Sequence, residues 1–330
     1  MNPPAAFNFA AHLFAANATR AVKLAYVDDQ GRLSGNALTF SLSAGASVVL
    51  MAERPTPEAA FKRWTAANAA TRLTVFFGAP TGFAGMLASS ALPAREAVRL
   101  RLCSSLGEAL PRELDERFER HFGVPIVNGI GSTEMQHIFI SNRPGAVRYG
   151  TTGNAVEGYE IEPRGDDGEP VAEGEVGDLF IKGPSAALMY WSDRERSRST
   201  FQDDWIRSGD KYSRDASGYY TYAGRSDDML SVSGVWVSPF EVESTLMQHP
   251  AVLEAAVIGS EDGDGLTKTR AYVVVKPGRA TSDAELKAFV KERLAPYKYP
   301  RAFEFVDELP KTATGKIQRF RLRERERASR

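Results

Sequence analysis

The residues best suited to phosphate chemistry begin near the C-terminus. The segment PKTATGKIQR, residues 310–319, places Lys316 directly after a Thr-Gly pair. Such a lysine fits two descriptions: a charge that solvates a loop, or a mobile arm that brings one ammonium group to a reacting phosphate. The second description requires a phosphate-binding cradle elsewhere in the chain.

Two glycine-containing segments are candidates for that cradle. CSSLGEALP at 103–111 and NGIGSTEM at 128–135 each follow a β-rich run and contain a carboxylate. Glycine lets the backbone approach a flat or charged ligand, and serine and threonine hydroxyls can donate to phosphate oxygens. Glu134 is a residue type that binds Mg²⁺. By pattern alone, Gly131-Ser132-Thr133-Glu134 also fits a turn with a helix N-cap.

Two further polar segments lie between the cradle candidates and the lysine. In WIRSGD at 205–210, Asp210 ends a strand-like run and could accept hydrogen bonds from two adjacent sugar hydroxyls, although Ser-Gly-Asp is also a common turn. In YAGRSDDMLSVSG at 222–234, Arg225 stands beside two aspartates. That segment alone fits a polar linker.

The spacing of apolar residues indicates which helices and strands position these segments. From Pro57 to Glu134, helix-like stretches at 57–70, 80–90 and 111–122 alternate with β-rich runs at 73–78, 98–103 and 124–130. This alternation predicts α/β layers with parallel strands. From 149 to 223, strands joined by Asp-Gly and glycine-rich turns predict a β-rich subdomain. Two capping boxes, at Ser238 and Ser282, announce helices in a C-terminal α+β domain.

Composition limits the class of protein. The chain has 330 residues, 43% of them apolar, and 41 Lys and Arg against 42 Asp and Glu. This balance gives no reason to expect nucleic acid or an anionic membrane as partner, and predicts a small-molecule partner. Cys103 is the one cysteine, which excludes an internal disulfide and suits the cytoplasm. We find no export signal and no run of 18 apolar residues.

In their order and spacing, the polar segments resemble the acyl-adenylate-forming enzymes. Four motifs, GSTE, SGD, GRSDDMLSVSG and PKTATGK, recur in that superfamily in the same order. The sequence around these motifs, including IGSTEMQHIFISNRPGAVRYGTTG, is similar to the benzoate-CoA ligase branch. The resemblance covers nearly the whole chain. It implies a large adenylate-forming domain, α/β layers plus the β-rich subdomain, followed by a small mobile C-terminal α+β domain.

The resemblance implies a reaction and roles for named residues. A carboxylate such as benzoate would react with ATP to give an acyl-adenylate, and coenzyme A would then displace AMP. Lys316 would serve the first step, Thr133 would bind the α-phosphate, and Glu134 would ligate Mg²⁺. The remaining implied roles are adenine contact for Ser105, Gly107 and Glu108, ribose or phosphate contact for Asp210 and Arg225, passage of coenzyme A at Gly234, the aryl pocket for Gly131, His137 and Ile138, and the hinge for Asp227. For His137, a solvated loop histidine is the alternative.

The sequence departs from the family in one large respect. Family members carry a Ser/Thr/Gly-rich loop ending in Lys-Gly before GSTE, whose N–H groups surround the β- and γ-phosphates. This sequence lacks it, and a domain-sized block is missing at about Ser34 to Asn36. YGTTGNAVEG at 149–158 has a similar composition but follows GSTE. A smaller departure is Leu106, where an alanine is usual.

The expected organisation follows from this departure. We expect an N-terminal remnant at 1–35, the α/β subdomain at 36–148, the β-rich subdomain at 149–223, the hinge at 224–228 and the mobile domain at 229–330. We also expect uncovered apolar surface on residues 36–134, and hence a homodimer or other association. Three functions stay open: an aryl-CoA ligase, completed by another chain or not; a remnant that cannot start adenylation; and a non-catalytic module that binds AMP or coenzyme A.

Overall fold

Alternating helices and strands form the first part of the fold in a computed structural model, which describes residues 56–67, 73–232, 235–261, 267–311 and 317–328. Strands β1 (Val75–Gly78), β2 (Leu102–Ser105) and β3 (Ile126–Gly131) are parallel, and β4 (Ile138–Ser141) and β5 (Asn154–Ala155) continue the sheet in antiparallel orientation. The accompanying helices are α1 (Pro57–Trp64), α2 (Pro80–Ala88) and α3 (Arg112–Phe122). The predicted α/β layers are confirmed. The β-rich run at 98–103 was placed too early, because the strand begins at Leu102.

An aromatic cluster fills the space between this sheet and its helices. Trp64 is fully buried, and its ring lies 5.5 Å from Phe61, 5.0 Å from Phe76 and 5.5 Å from Phe122 between centroids. All three contacts are edge-to-face, the geometry that ring quadrupoles favour. The expectation of uncovered apolar surface on 36–134 is wrong for the described part of that stretch. No large apolar side chain is exposed there, because the aromatic residues pack on one another.

An antiparallel sheet follows, as the turn-rich sequence predicted. Its strands, in the order β10-β9-β7-β6, are β6 (Glu160–Arg164), β7 (Val176–Lys182), β9 (Trp205–Arg214) and β10 (Tyr220–Arg225). Helix α4 (Arg194–Thr200) and the short strand β8 (Phe201–Gln202), which pairs with β9, lie between β7 and β9. Leu179, Ile181 and Tyr212 are buried in its core. The sheet brings Asp210 on β9 opposite Arg225 on β10.

The C-terminal part is a mixed α+β unit, as predicted. It contains the hairpin β11 (Leu230–Val232) and β12 (Val235–Val237), helix α5 (Pro239–Met247), strands β13 (Val252–Glu261) and β14 (Thr267–Val275), helix α6 (Asp283–Lys291), strand β15 (Ala302–Phe305) and helix α7 (Arg319–Ala328). Both predicted caps are present: Ser238 Oγ accepts the Glu241 N–H at 3.1 Å, and Ser282 Oγ accepts the Glu285 N–H at 3.3 Å. Within the described ranges, no helix has the length and apolar character needed to cross a bilayer.

A buried carboxylate joins helix α3 to the start of β3. Asp115 is 2% exposed, and its Oδ1 accepts the backbone N–H of Ile126 at 2.9 Å. Burial raises the pKa of Asp115 to about 7, because the bond from Ile126 offsets only part of the lost hydration and Glu119 and Glu116 repel the charge. Since β3 leads to Gly131, Thr133 and Glu134, this contact also fixes the start of the segment that carries these three predicted site residues.

The raised pKa of Asp115 predicts a pH-dependent stability. Between about pH 4 and 7 the unfolded chain releases this proton while the folded chain keeps it, so the free energy of unfolding falls as pH rises. Asp115→Asn cannot ionise and keeps an acceptor for Ile126. From pH 5 to pH 8 we expect the variant to gain roughly 2–3 kcal/mol relative to the unsubstituted protein, measured by urea unfolding at each pH.

The control is Asp167→Asn in the exposed turn between β6 and β7. It removes one carboxylate at an exposed position, so its stability at each pH gives the baseline for the loss of one acidic side chain. An Asp115→Asn curve parallel to that control would show that Asp115 is ionised in the folded protein throughout.

Candidate functional site

A cleft of about 1470 Å³ lies between the first two sheets and the C-terminal unit. The larger side supplies the loops that follow β2 and β3, together with residues of β9 and of the end of β10. The smaller side supplies residues from α5, β13 and the start of α7. Many predicted site residues line this cleft: Gly107, Glu108, Gly131, Thr133, Glu134, His137, Asp210, Arg225 and Asp227. Segments more than 100 residues apart in the sequence therefore converge on one space.

The remaining predicted site residues differ in position. Ser105 at the end of β2 and Ile138 at the start of β4 are buried and do not line the cleft. Lys316 and Gly234 lie outside the described residues. Lys311 and Ile317 form an antiparallel bridge, and both line the cleft.

Parallel strand order explains why the two glycine-containing segments meet. The carboxyl ends of β2 and β3 lie at the same edge of the sheet, so the segments that follow them become neighbours. Gly107 has φ of 87°, a conformation that favours glycine. A Cβ on Gly131 would lie 2.5 Å from the carbonyl oxygen of His137, so this strand end also requires glycine. Glu108 accepts a hydrogen bond from Thr81 at 2.9 Å, which fixes the first segment to α2.

Asp210 and Arg225 form a partly buried ion pair on the cleft wall. Arg225 Nη1 lies 3.2 Å from Asp210 Oδ1. Burial raises the pKa of Asp210, although Arg225 partly offsets this effect. The side chain of Asp210 is 14% exposed, so the carboxylate sits in a position where ligand hydroxyls could replace lost water.

Asn128 is a cleft residue that sequence reasoning did not single out. Its side chain is 6% exposed, and Nδ2 donates to the carbonyl oxygen of Thr151 at 3.3 Å. Among the described residues, its Oδ1 has no hydrogen-bond partner. A buried acceptor without a donor costs about 1–3 kcal/mol. A ligand with an exocyclic amino group would satisfy it, and the only sequence signal was the position of Asn128 at the head of NGIGSTEM.

The glycine-rich stretch at 149–158 does not form a phosphate cradle. The Thr152 N–H donates to Tyr220 at 2.8 Å and the Thr151 N–H to Arg148 at 3.2 Å, so these donors are already used. Gly153 has φ of 105°, and a Cβ there would lie 2.0 Å from the carbonyl carbon of Ser141. The glycines of this stretch serve close backbone packing.

Glu134 is the candidate ligand for a divalent cation. It accepts a hydrogen bond from the Tyr190 hydroxyl. Burial opposes its ionisation, but the hydrogen bond from Tyr190, with smaller contributions from the backbone, Ser132 and Arg196, holds the pKa of Glu134 below its usual value. In the described part of the chain, no three His, Cys, Asp or Glu side chains form a metal cluster. A single carboxylate fits Mg²⁺ that arrives with the phosphates of a nucleotide.

The residues on either side of Asp227 are held by different parts of the protein. The Ser226 hydroxyl donates to Asp178 Oδ1 at 2.6 Å, and Asp178 also pairs with Arg207 and Lys211 on β9. Asp228 accepts from Arg323 at 2.9 Å, on helix α7. The side chain of Asp227 is 78% exposed. The linker therefore passes from one anchored unit to the other at Asp227.

Arg319, the first residue of helix α7, lines the cleft and pairs with two carboxylates. Its Nη2 lies 2.7 Å from Glu243 Oε2, and its Nη1 lies 3.7 Å from Asp228 Oδ2. Although burial disfavours its charge, Glu243 and Asp228 hold the pKa of Arg319 above its usual value. Glu243 is 3% exposed and also accepts the Val257 N–H at 2.7 Å. This network ties α5, β13 and α7 together.

Comparison with known proteins gives two matching sequence families. Residues 32–191 match the family described as AMP-binding enzyme, and residues 241–316 match the AMP-binding enzyme C-terminal domain. Together these stretches cover more than half of the chain.

Several similar proteins are named as CoA ligases of aromatic acids. The benzoate–CoA ligase of Thauera aromatica is 56% identical over 88% of this chain and 55% of its own length. A benzoate CoA ligase structure from Burkholderia xenovorans is 58% identical with a TM-score of 0.83, over 96% of this chain and 64% of that chain. An anthranilate CoA ligase in complex with anthranoyl-AMP is 43% identical with a TM-score of 0.83, over 96% and 62%. This chain thus spans about half the length of the curated relatives it matches.

The Arg319 network predicts a large loss of stability when one partner is removed. Arg319→Ala leaves the buried Glu243 carboxylate without its cation, so we expect the free energy of unfolding to fall by about 3–5 kcal/mol. Arg325→Ala is the control on the same helix, because its partner Glu304 lies in a pair whose arginine side chain is 62% exposed. That change should cost about 0–1 kcal/mol.

Urea unfolding followed by circular dichroism measures both values. Equal losses for the two variants would mean that the Arg319–Glu243 pair contributes no more than a surface ion pair.

Proposed function

The chain belongs to the AMP-binding enzyme family, and from that premise we propose that it acts in aryl-CoA ligase chemistry on benzoate or a related aryl carboxylate. The observation that carries the proposal is the convergence of Asp210, Arg225, Thr133 and Glu134 on one cleft beside Lys311 and Ile317. The family's sequence motifs supply the first four residues from separate segments. Similar proteins are named as benzoate and anthranilate CoA ligases, which supports an aryl substrate.

We assign the nucleotide to the larger side of the cleft. Asp210 accepts the ribose hydroxyls, Arg225 contacts the ribose or phosphate, and Thr133 donates to the α-phosphate. Gly107 and Glu108 border the adenine, whose amino group can donate to the unpaired Oδ1 of Asn128. ATP would bring Mg²⁺ to Glu134, where the metal supplies charge neutralisation for the phosphates.

The aryl group belongs, in this proposal, beside Gly131 and His137. Both line the cleft next to Thr133, so a carboxylate there would lie close to the α-phosphate. Burial lowers the pKa of His137, which keeps the ring neutral near an aromatic ligand. Ile138 lies behind this wall and would shape the pocket through packing.

Two steps use the hinge differently. In the first, Lys316 supplies a positive charge as the carboxylate attacks the α-phosphate and pyrophosphate leaves. In the second, the coenzyme A sulfur attacks the acyl carbon past Gly234, the bond to AMP breaks, and the thiol proton goes to solvent. Rotation at Asp227 exchanges the two arrangements, which the separate anchors of Ser226 and Asp228 support.

The first step is the weak one in this proposal. The sequence lacks the family's phosphate loop before GSTE, and losing even one donor to developing charge typically costs about 2.7–4 kcal/mol. The alternative functions are an adenylation-defective remnant and a binding module for AMP or coenzyme A. We place the protein in the cytoplasm, where a chain with one cysteine stays reduced.

The reaction can be tested from its midpoint. Given benzoyl-AMP and coenzyme A, the chain should form benzoyl-CoA faster than the uncatalysed mixture, because this step needs neither the phosphate loop nor pyrophosphate departure. Asp210→Ala should slow it by removing the ribose acceptor, while Lys316→Ala should leave it nearly unchanged. Thioester formation is followed by chromatography of the products.

A parallel assay of ATP–pyrophosphate exchange with benzoate should be weak or negative. Fast exchange would contradict the assignment of the first step. Absence of thioester together with measurable AMP or coenzyme A binding would favour the binding module. Loss of thioester formation in Lys316→Ala equal to that in Asp210→Ala would contradict the two-step use of the lysine.

We further propose that purified chains associate with one another through the loop after β7. Leu188, Met189 and Trp191 are 88%, 65% and 94% exposed. Three adjacent exposed apolar side chains favour burial against a second copy, the available partner in a purified sample.

The double variant Leu188→Ser with Trp191→Ser should therefore shift the protein towards monomer in light scattering coupled to size exclusion, since it removes the two most exposed apolar side chains of this loop. Val176→Ser, also at an exposed apolar position, is the control and should not change the mass. A monomeric starting protein, or equal effects of both changes, would overturn this association.

A further inference from the structure

The loop between β7 and α4 grips the turn that carries Glu134. We call residues 183–193 the strap. Ser185 Oγ donates to the Met135 carbonyl oxygen at 2.6 Å, and the Ala187 N–H donates to the Glu134 carbonyl oxygen at 2.7 Å. These two bonds fix the backbone of Glu134 and its neighbour. The strap therefore holds the backbone of this turn in place, independently of the Glu134 side chain.

Tyr190 extends this control to the carboxylate itself. Its hydroxyl donates to Glu134 Oε1, and both residues line the cleft. The Tyr190 N–H donates to Ser197 Oγ at 3.0 Å, so its backbone is held by α4. Its ring meets Phe201 edge-to-face at 5.3 Å. Both the backbone and the ring of Tyr190 are therefore held in place, which fixes the position of its hydroxyl.

Arg196 completes the arrangement. Its guanidinium carbon lies 4.1 Å from the centre of the Tyr190 ring, a close cation–π contact, and Arg196 also lines the cleft. Such contacts contribute about 0.5–1 kcal/mol at exposed sites and more when water is excluded. The cation lies over the face of the ring, and its charge also favours the ionised form of Glu134.

We propose that Tyr190 is a positioning residue for Glu134, with Arg196 as its support, and that it holds the carboxylate ready for a divalent cation bound to nucleotide phosphates. The inference rests on the proposed function and adds two residues that sequence motifs did not indicate. Hydrogen-bond partners of a metal ligand typically change metal affinity 10- to 100-fold when removed. Tyr190 occupies this place at Glu134, the candidate ligand.

The test separates metal-dependent from metal-independent binding. Tyr190→Phe removes only the hydroxyl, so it should weaken calorimetric binding of Mn²⁺·ATP about 10-fold while leaving AMP binding in EDTA unchanged. Arg196→Met should weaken Mn²⁺·ATP binding by a smaller factor in the same direction. Tyr219→Phe is the matched control, because Tyr219 also carries an arginine over its ring, Arg148 at 4.9 Å, and neither residue lines the cleft.

Each outcome decides the proposal. Unchanged Mn²⁺·ATP binding in Tyr190→Phe overturns it, and so does equal weakening of AMP binding in EDTA, which marks a purely structural role. If the unsubstituted chain binds neither nucleotide, the proposed function fails, and crystal structures of both proteins without ligand then decide. A Glu134 carboxylate displaced in Tyr190→Phe supports the positioning role, whereas one that keeps its place contradicts it.

Discussion

A buried carboxylate, Asp178, holds three donors from two different segments, and the position of the linker depends on it. Arg207 and Lys211 pair with it from β9, and Ser226 donates to it from the end of β10. Burial opposes the charge of Asp178, but these three donors hold its pKa below the usual value. Because the carboxylate is 5% exposed, its charge must be satisfied within the protein. The chain therefore leaves the β-rich sheet at a fixed point.

The two sides of the cleft are held by different contacts. Asp210, on the larger side of the cleft, lies within β9 and is paired with Arg225 on β10, so its backbone is held by the sheet. The opposite wall moves as one body if Asp227 turns, because Arg319 and Arg323 bind Asp228 to helix α7. The proposed rotation at Asp227 requires this combination of a fixed side and a separately anchored side.

The parts that could be predicted from the sequence are those with a local cause. Capping at Ser238 and Ser282 follows from side chains three residues apart, and the parallel order of β1 to β3 follows from alternating apolar periods. The convergence of Gly131, Asp210 and Arg225 was expected only through resemblance to a family. Asn128, Tyr190 and Asp178 were missed because their importance arises from contacts that span 23 to 56 positions in the sequence. An unpaired acceptor or a shared carboxylate has no signature in a single strand or turn.

Glycine at position 153 shows how misleading composition can be, and it has a consequence for sequence variation. The stretch YGTTG has the glycine and threonine content of a ligand loop, yet the backbone of Ser141 and Asn142 fills the space that any side chain at Gly153 would need. The constraint at this site is therefore steric and does not depend on a substrate. In a saturation library scored only for folding, position 153 should be as intolerant as a catalytic residue is in a library scored for turnover, so invariance there would carry no information about chemistry.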